Sequence, residues 1–524
     1  MSTQKVLVKN SIAVSAALGL SAILGFLRES IIAYKFGATA ETDAFLIAMI
    51  IPNLFIGLVK GSITNTFITV YSGYMFHDQV EEGWRMTNIV LTLLTLIMLG
   101  VSVLFASGTT AVVHLVAPSY QGDQLSLAVS MTRILLPSII FGTLMGVLVG
   151  INNANHSFLA PSMIGLVSNV VTILSIFILG AFWGIKGLAV GSMLGILAQF
   201  LIQLPSAYKH GLRFKFVIDF NNLGLKESIR LVAPFILTAA ASQINLIVDR
   251  TLATGLPRGI VSALYFANKL VFLPLIFTGA IGMVVFPIMI GAAARRDWEE
   301  LVEGFQRSVR LLSLVLLPTA IGIFVLRLPL VKLLFEHGAF TAQDTQITAG
   351  TVGYYLGALY FGSMSMLVAN IYFALKKMVV AAGTGIVAVF VNIGFSLWLI
   401  HPLEQKGLAL ANSISALVNL ILLIAGLFIV LRQYNITDKI LRGLGTFLVR
   451  VALVVTSMAL VVHIYLHAVQ GYFFSKAGLV FLVLSSVLVG VIAYTIVAYV
   501  LHIEEVHKGV SLIARKGRKF LDEC

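Results

Sequence analysis

Lys186-Gly187-Leu188-Ala189 opens one long apolar run, and Lys406-Gly407-Leu408-Ala409 opens another about 220 residues later. Ahead of each lies an apolar stretch carrying an asparagine, Asn169 and Asn392. Ahead of those stretches come short breaks at 151–157 and 375–378. Similar runs fill the chain, at 11–34, 44–71, 86–107, 125–150, 158–181, 187–207, 231–253, 260–290, 308–328, 347–374, 379–400, 406–431, 444–467 and 478–501. A helix needs about 20 apolar residues to cross a bilayer, and these runs are too long and too unalternating for barrel strands. Each copy of the repeat holds six runs, an even number, so both copies enter the membrane from the same side. The expected fold is all-α and integral to the membrane, with about 14 transmembrane helices. Its two six-helix lobes are related by a pseudo-two-fold axis along the membrane normal, as in parallel-repeat transporters. The lobes span 1–210 and 211–432, two further helices occupy 433–502, and a basic tail follows at 503–524.

Composition agrees. Apolar residues make up 59% of the chain and charged residues 11%, with a mean hydropathy of +1.00; soluble domains carry about a quarter charged residues. The net charge of +13 is distributed by topology. Lys209, Arg213, Lys215, Lys226 and Arg230 follow run six, Arg295, Arg296 and Arg307 follow run eight, and Lys376 and Lys377 follow run ten. Arg432, Lys439 and Arg442 follow run twelve, and the segment 108–124 has no Lys or Arg at all. By the positive-inside rule both termini are cytoplasmic. The basic charge then meets anionic lipid headgroups, not nucleic acid. Lys5 and Lys9 before an apolar stretch imitate a signal peptide, but no small-residue cleavage site follows, so a retained first helix is expected. The tail reads equally as an amphipathic surface helix and as a solvated basic end. Cys524 is the only cysteine, so neither a disulfide framework nor a cysteine metal site is expected.

Ionisable residues inside spans are costly and usually face a cavity or a partner. Here they are Arg28, Glu29, Lys60, Arg133, Asp249, Arg250 and Lys269. Cations dominate, which suits an anionic ligand, phosphate above all. Arg133 and Arg250 fit snorkelling to the interface equally well, whereas Arg28, Lys60 and Lys269 lie deeper and are assigned to a cavity. Pro52-Asn53 in run two and Pro274 and Pro287 in run eight predict bent helices at matching places, hence a gate or hinge. Histidines 77, 156, 210, 337 and 401 show no metal-site spacing, and no nucleotide-binding loop occurs. With no cofactor expected, energy must come from a Na+ or H+ gradient, the membrane potential or downstream consumption. No loop is long enough for a catalytic domain, so no enzyme is predicted.

Gly25-Phe26-Leu27-Arg28-Glu29, Phe36-Gly37, Thr42-Asp43-Ala44-Phe45 and Pro52-Asn53-Leu54 resemble the opening of the MurJ (MviN) lipid II flippases of the multidrug/oligosaccharidyl-lipid/polysaccharide exporter superfamily. Gly150-Ile151-Asn152-Asn153 with Phe158 and Pro161 extends the resemblance. So does Phe335-Glu336-His337-Gly338-Ala339-Phe340-Thr341 with Asp344-Thr345, and the likeness runs through both lobes to the last two helices. It implies two lobes around a central cavity, with runs thirteen and fourteen forming a groove for a lipid tail. It also implies that undecaprenyl-diphosphate-linked disaccharide-pentapeptide is flipped between leaflets of the bacterial cytoplasmic membrane by alternating access. Arg28 stands where the family has its cavity arginine, Glu29 where an acid is usual, and Asp43 at the acid that starts span two. Arg28, Lys60 and Lys269 would bind the diphosphate, with Glu29 and Asp43 as cavity or gating acids. Asp249, Asn392 and Asn412 resemble parts of an ion site seen in some members.

The chain departs from the family pattern at Ala22, at Ile56 and Gly57, and at Ala267-Asn268-Lys269-Leu270 with Phe272, where arginines and a glutamate are usual. Three functions follow as expectations. The first is lipid II translocation, with a lipid-linked saccharide diphosphate, membrane lipids and cell-wall synthesis enzymes as partners. The second is translocation of another polyprenyl-diphosphate saccharide, such as a teichoic acid or polysaccharide precursor. The third is a transport-dead scaffold for cell-wall enzymes.

Overall fold

The structure is a computed structural model that describes residues 3–434, 440, 443–469 and 475–507. Of the expected basic tail, residues 508–524 lie outside the described residues. The chain divides into two compact units. Residues 1–262 with 337–341 form the first, and 263–336 with the remainder form the second.

Among the described residues the regular elements are helices, the only open-ended structure that satisfies its own backbone in lipid. The first unit holds α1 (Thr3–Phe36), α2 (Ala40–Ala48), α3 (Ile50–Phe76), α4 (Val80–Ser107), α5 (Thr109–Val116) and α6 (Gly122–Leu135). It continues through α7 (Ser138–Ala154), α8 (Leu159–Ser162), α9 (Ile164–Trp183), α10 (Ile185–Lys209) and α11 (Leu223–Ala253) to the first turn of α12 (Ile260–Val271). The second unit holds the rest of α12, then α13 (Leu275–Arg295), α14 (Trp298–Phe335), α15 (Ala342–Ala374) and α16 (Met378–Leu403). It ends with α17 (Gln405–Arg432), α18 (Leu444–Val469) and α19 (Lys476–Val500). Thirteen of the described helical stretches are long and apolar enough to cross a membrane. That set omits α11, a 31-residue helix covering the expected run 231–253. Large apolar side chains such as Ile23, Leu104, Phe182, Leu484 and Ile496 are exposed. In water they would be an aggregation surface; on a spanning helix they are the lipid-facing side.

Prolines set the breaks. The ring of a proline clashes with the carbonyl four residues back, and α2 stops at Ala48, four residues before Pro52. Likewise α6 ends just before Pro137, and α12 ends at Val271, just before Pro274 starts α13. The expected run 260–290 is thus two helices. Pro287 was expected to interrupt as well, but it stays inside α13, where a membrane helix tolerates a missing hydrogen bond.

The repeat survives at the level of single turns. His156 and Lys376 both take positive φ, 56° and 57°. The N–H of Ser157 reaches back to the Asn152 carbonyl, and that of Lys377 to the Tyr372 carbonyl, both at 2.8 Å. Gly184 and Glu404 again share positive φ, 54° and 50°, and three residues later Gly187 and Gly407 lie against the carbonyls of Leu179 and Leu399, where a β-carbon would collide. One shared contact has changed chemistry. The Asn152 amide donates to Gln203 Oε1 at 2.9 Å, and at the matching place the Tyr372 hydroxyl donates to the Leu423 carbonyl at 2.7 Å.

Candidate functional site

Arg28 lies eight residues before the end of α1, about 12 Å by helix rise. Its Nη2 sits 2.5 Å from Glu29 Oε1. Adjacent residues on a helix diverge and do not normally face each other, so the guanidinium reaches around the helix to its neighbour. Glu29 is 3% exposed and Arg28 26%. An ion pair makes both tolerable in a membrane helix.

Asp43, at the first turn of α2, is buried. Thr39 caps that helix by accepting the Thr42 N–H. The Asp43 carboxylate accepts the N–H of Gly259 at 2.6 Å, the N–H of Ser262 at 2.7 Å and the Ser262 hydroxyl at 2.5 Å. Gly259 and Ser262 form the start of α12, so Asp43 supplies from a distant part of the chain the anionic cap that a helix N-terminus favours. Tyr120, in the loop before α6, is buried nearby. Its hydroxyl is pushed far above the usual tyrosine range by burial and then by the charge of Asp43, with Gln124 pulling part of the way back. Arg250 Nη1 donates to the Leu46 carbonyl at 3.0 Å, tying α11 to α2.

The loop after α14 joins the same end of the first unit. The Ala339 N–H donates to the Tyr34 carbonyl at 2.8 Å. Gly37 and Gly338 both have positive φ, and a β-carbon on either would run into the Ala339 or Tyr34 carbonyl. Phe340 is buried. Residues 337–341 are therefore seated on the end of α1, where Gly37 and Gly338 are required by backbone-to-backbone approach.

The remaining candidates are distributed as follows. Pro52 is in the first turn of α3 and Asn53 donates its N–H to Met49; the Lys60 side chain lies outside the described residues. Asp249 is half-buried on α11 in the first unit. In the second unit, Lys269 holds its Nζ 5.1 Å over the Tyr265 ring, a cation–π arrangement. Asn392 is fully buried near the Ser396 hydroxyl, and Asn412 donates to the Leu408 carbonyl. Of the departures, Ile56 fills the space beside Gly142 of α7, Gly57 is exposed and faces the Gln243 amide, and Ala22 is exposed. Also in the second unit, α14, α18 and α19 enclose an apolar cleft of about 470 Å³, lined by Leu326, Met458, Val462, Gly490 and Tyr494 among others. Sequence reasoning missed Gly259, Ser262 and Tyr120. A Gly-x-x-Ser string opening an apolar run was the available signal for a helix start wanting an outside acid.

These helices and breaks define a class, the polytopic all-α membrane proteins. The chain has the fold of a solved "Lipid II flippase MurJ, inward closed conformation", with a TM-score of 0.79, 23% identity, and 94% of this chain and 99% of that one covered. It also resembles an inward-facing multidrug resistance MATE family transporter of the MOP superfamily, with a TM-score of 0.66 and 14% identity over 78% of this chain and 95% of that one. Residues 32–501 match the family model for lipid II flippase MurJ, and the chain belongs to that family. A relative from Thermotoga maritima, named probable lipid II flippase MurJ, is 27% identical and covers 97% of this chain and 99% of its own length.

Proposed function

We propose that this protein flips lipid II from the inner to the outer leaflet of the bacterial cytoplasmic membrane by alternating access, with both termini in the cytoplasm. The observation that carries this reading is Arg28, held within a membrane helix by Glu29 in a chain of this family. The diphosphate of the cargo offers a stronger, multidentate acceptor than one carboxylate, so it takes the guanidinium from Glu29 on binding. Lys60 of the first unit and Lys269 of the second are the further candidates for binding the diphosphate. The Asp43 cap and the 337–341 plug hold the outer end of the first unit shut and must release for the cargo to leave outward. The cleft between α14, α18 and α19 takes the prenyl tail, which never needs to leave apolar surroundings. Returning an emptied cationic site inward gains about 2.3 kcal/mol per charge per 100 mV, inside negative. Asp249, Asn392 and Asn412 are the candidates for coupling to Na+ or H+.

The test is complementation of a bacterium depleted of its own lipid II flippase, reading lipid II at the outer face with an impermeant label. The wild-type chain should restore labelling and Arg28→Ala should not; restoration by Arg28→Ala sinks the assignment. A second cargo, another polyprenyl-diphosphate saccharide, is favoured by Ile56, which packs beside Gly142, and Gly57, at places where the family usually has arginine. Failure of the wild-type chain to complement, with retained binding of lipid-linked diphosphates, would select that reading.

A further inference from the structure

Between α10 and α11 the chain runs extended through 212–219 without joining any sheet. It is fixed along its whole length to α4. Leu212 is buried and Gly211 lies beneath Trp84. The Asn88 side chain donates to the Arg213 carbonyl at 3.1 Å and accepts the Lys215 N–H at 3.0 Å, and the Thr92 hydroxyl accepts the Val217 N–H. Asp219 then pairs with Arg85 at 3.1 Å, and Asn222 caps α11. The odd-numbered residues are thus the ones tied down.

The even-numbered residues form a different face. Phe214, Phe216 and Ile218 are 52%, 66% and 49% exposed, and in an extended chain alternate side chains share one side; Phe220, in the turn that follows, is 68% exposed. Four large apolar groups in a row would be an anomaly on a water-facing loop. Their position removes the anomaly. Thr92 is twelve residues into α4, itself apolar enough to span the membrane, so the strap reaches a point about 18 Å from the start of that helix. Around it stand Lys209, Arg213, Lys215, Lys226 and Arg230, and its acid, Asp219, is already paired.

We infer that residues 213–220 are a membrane-inserted strap. Its Phe214–Phe216–Ile218–Phe220 row enters the acyl region of the adjoining leaflet, and the surrounding basic residues engage anionic headgroups. Arginine and lysine stems reach from that depth to the headgroups, and their attraction to anionic lipid reinforces the insertion. The inserted side chains anchor the connection between α10 and α11 in the lipid. That the leaflet is the cytoplasmic one rests on the orientation proposed above.

Cys524 is the sole cysteine, so Cys524→Ser gives a cysteine-free chain for single substitutions at Arg213, Phe214, Lys215, Phe216, Val217 and Ile218. Each variant is labelled with an environment-sensitive fluorophore and reconstituted in vesicles of phosphatidylethanolamine and phosphatidylglycerol. Quenching by a lipid with a nitroxide high on its acyl chain is compared with quenching by aqueous iodide. The expected result is a period of two, with even positions quenched from the lipid and odd positions from water, weakened when phosphatidylglycerol is replaced by phosphatidylcholine. Uniform iodide quenching overturns the proposal. So does protection of the even positions from both quenchers, because a protein surface would then cover the row. Reaction of Lys215→Cys, a water-facing position, with an impermeant thiol reagent outside intact cells would overturn the cytoplasmic assignment while leaving the period of two intact. None of these readouts depends on cargo or transport.

Discussion

Asp43 and Ser262 are joined twice, the carboxylate accepting both the backbone N–H and the hydroxyl of the serine while a second oxygen takes the N–H of Gly259. Three donors on one buried acid is more than packing requires. The donors belong to a helix start that would lose its cap if Asp43 left.

Asp43→Asn keeps the size but turns one acceptor into a donor facing Gly259 or Ser262. Hydrogen bonds to a charged group contribute about 1.5–3 kcal/mol each, so a loss of about 3 kcal/mol shifts the closed-to-open ratio roughly a hundredfold. The expected outcome is faster labelling of an Ala339→Cys reporter, in the Cys524→Ser background, by an impermeant thiol reagent outside. Unchanged labelling would mean that Asp43 does not hold this end shut.

Glu29→Gln removes the internal competitor for Arg28. Purified protein should bind a lipid-linked diphosphate more tightly, by roughly tenfold for about 1.4 kcal/mol, while outer-face labelling slows because release is harder. Arg28→Lys keeps the charge without the fork of donors and should weaken binding. Equal affinity of the wild type and both variants would remove the diphosphate role from this pair.

Gly338→Ala places a β-carbon against the Tyr34 carbonyl at a positive φ. Residues strained in this way cost about 1–3 kcal/mol. The plug should loosen, seen as faster amide exchange across 337–341 with little change in the melting of α14 and α15. If exchange there stays at the wild-type rate, the close approach is not what seats the loop.

Arg310 and Glu505 pair at 3.3 Å, and the Arg310 guanidinium lies 5.3 Å from the Phe447 ring. This contact fastens the segment after α19 to α14. Arg310→Glu should lower thermal stability by about 1 kcal/mol, and adding Glu505→Arg should restore part of it. A double variant no better than the single would show that Phe447 packing, and not the ion pair, makes the contact.

Tyr120 is held protonated by burial and by the charge of Asp43. Above about pH 10 an unfolded tyrosine has lost its proton while the folded one keeps it. The native state then binds more protons than the unfolded state, and stability falls as pH rises. Below that range both forms are protonated and pH has no effect through this group. Tyr120→Phe should flatten the alkaline part of a melting-temperature profile and leave neutral pH nearly unchanged; an identical alkaline slope would assign it to other groups.

Much of this was legible in the residues themselves. Helix breaks were placed by prolines whose rings reject a carbonyl four residues back, which is why the break sits at Met49 when Pro52 was the visible sign. Pro287 lies within α13, which continues past it as one helix. The row Phe214–Phe220 was visible as letters but sat in a basic loop, and alternation acquires meaning only once Asn88 and Thr92 pin the other edge.

Sequence by itself determined that the chain lives in a membrane, is doubled at about 220 residues, and carries Arg28 and Asp43 where charge is costly. Those properties depend on composition and local spacing, which every conformation of the chain shares. Tertiary structure decided what each charge does. Glu29 reaches Arg28 although neighbours on a helix usually diverge, and Asp43 finds Gly259 and Ser262 more than 200 residues away. The partners of Asp43 are set by packing between distant segments, and no local pattern encodes them.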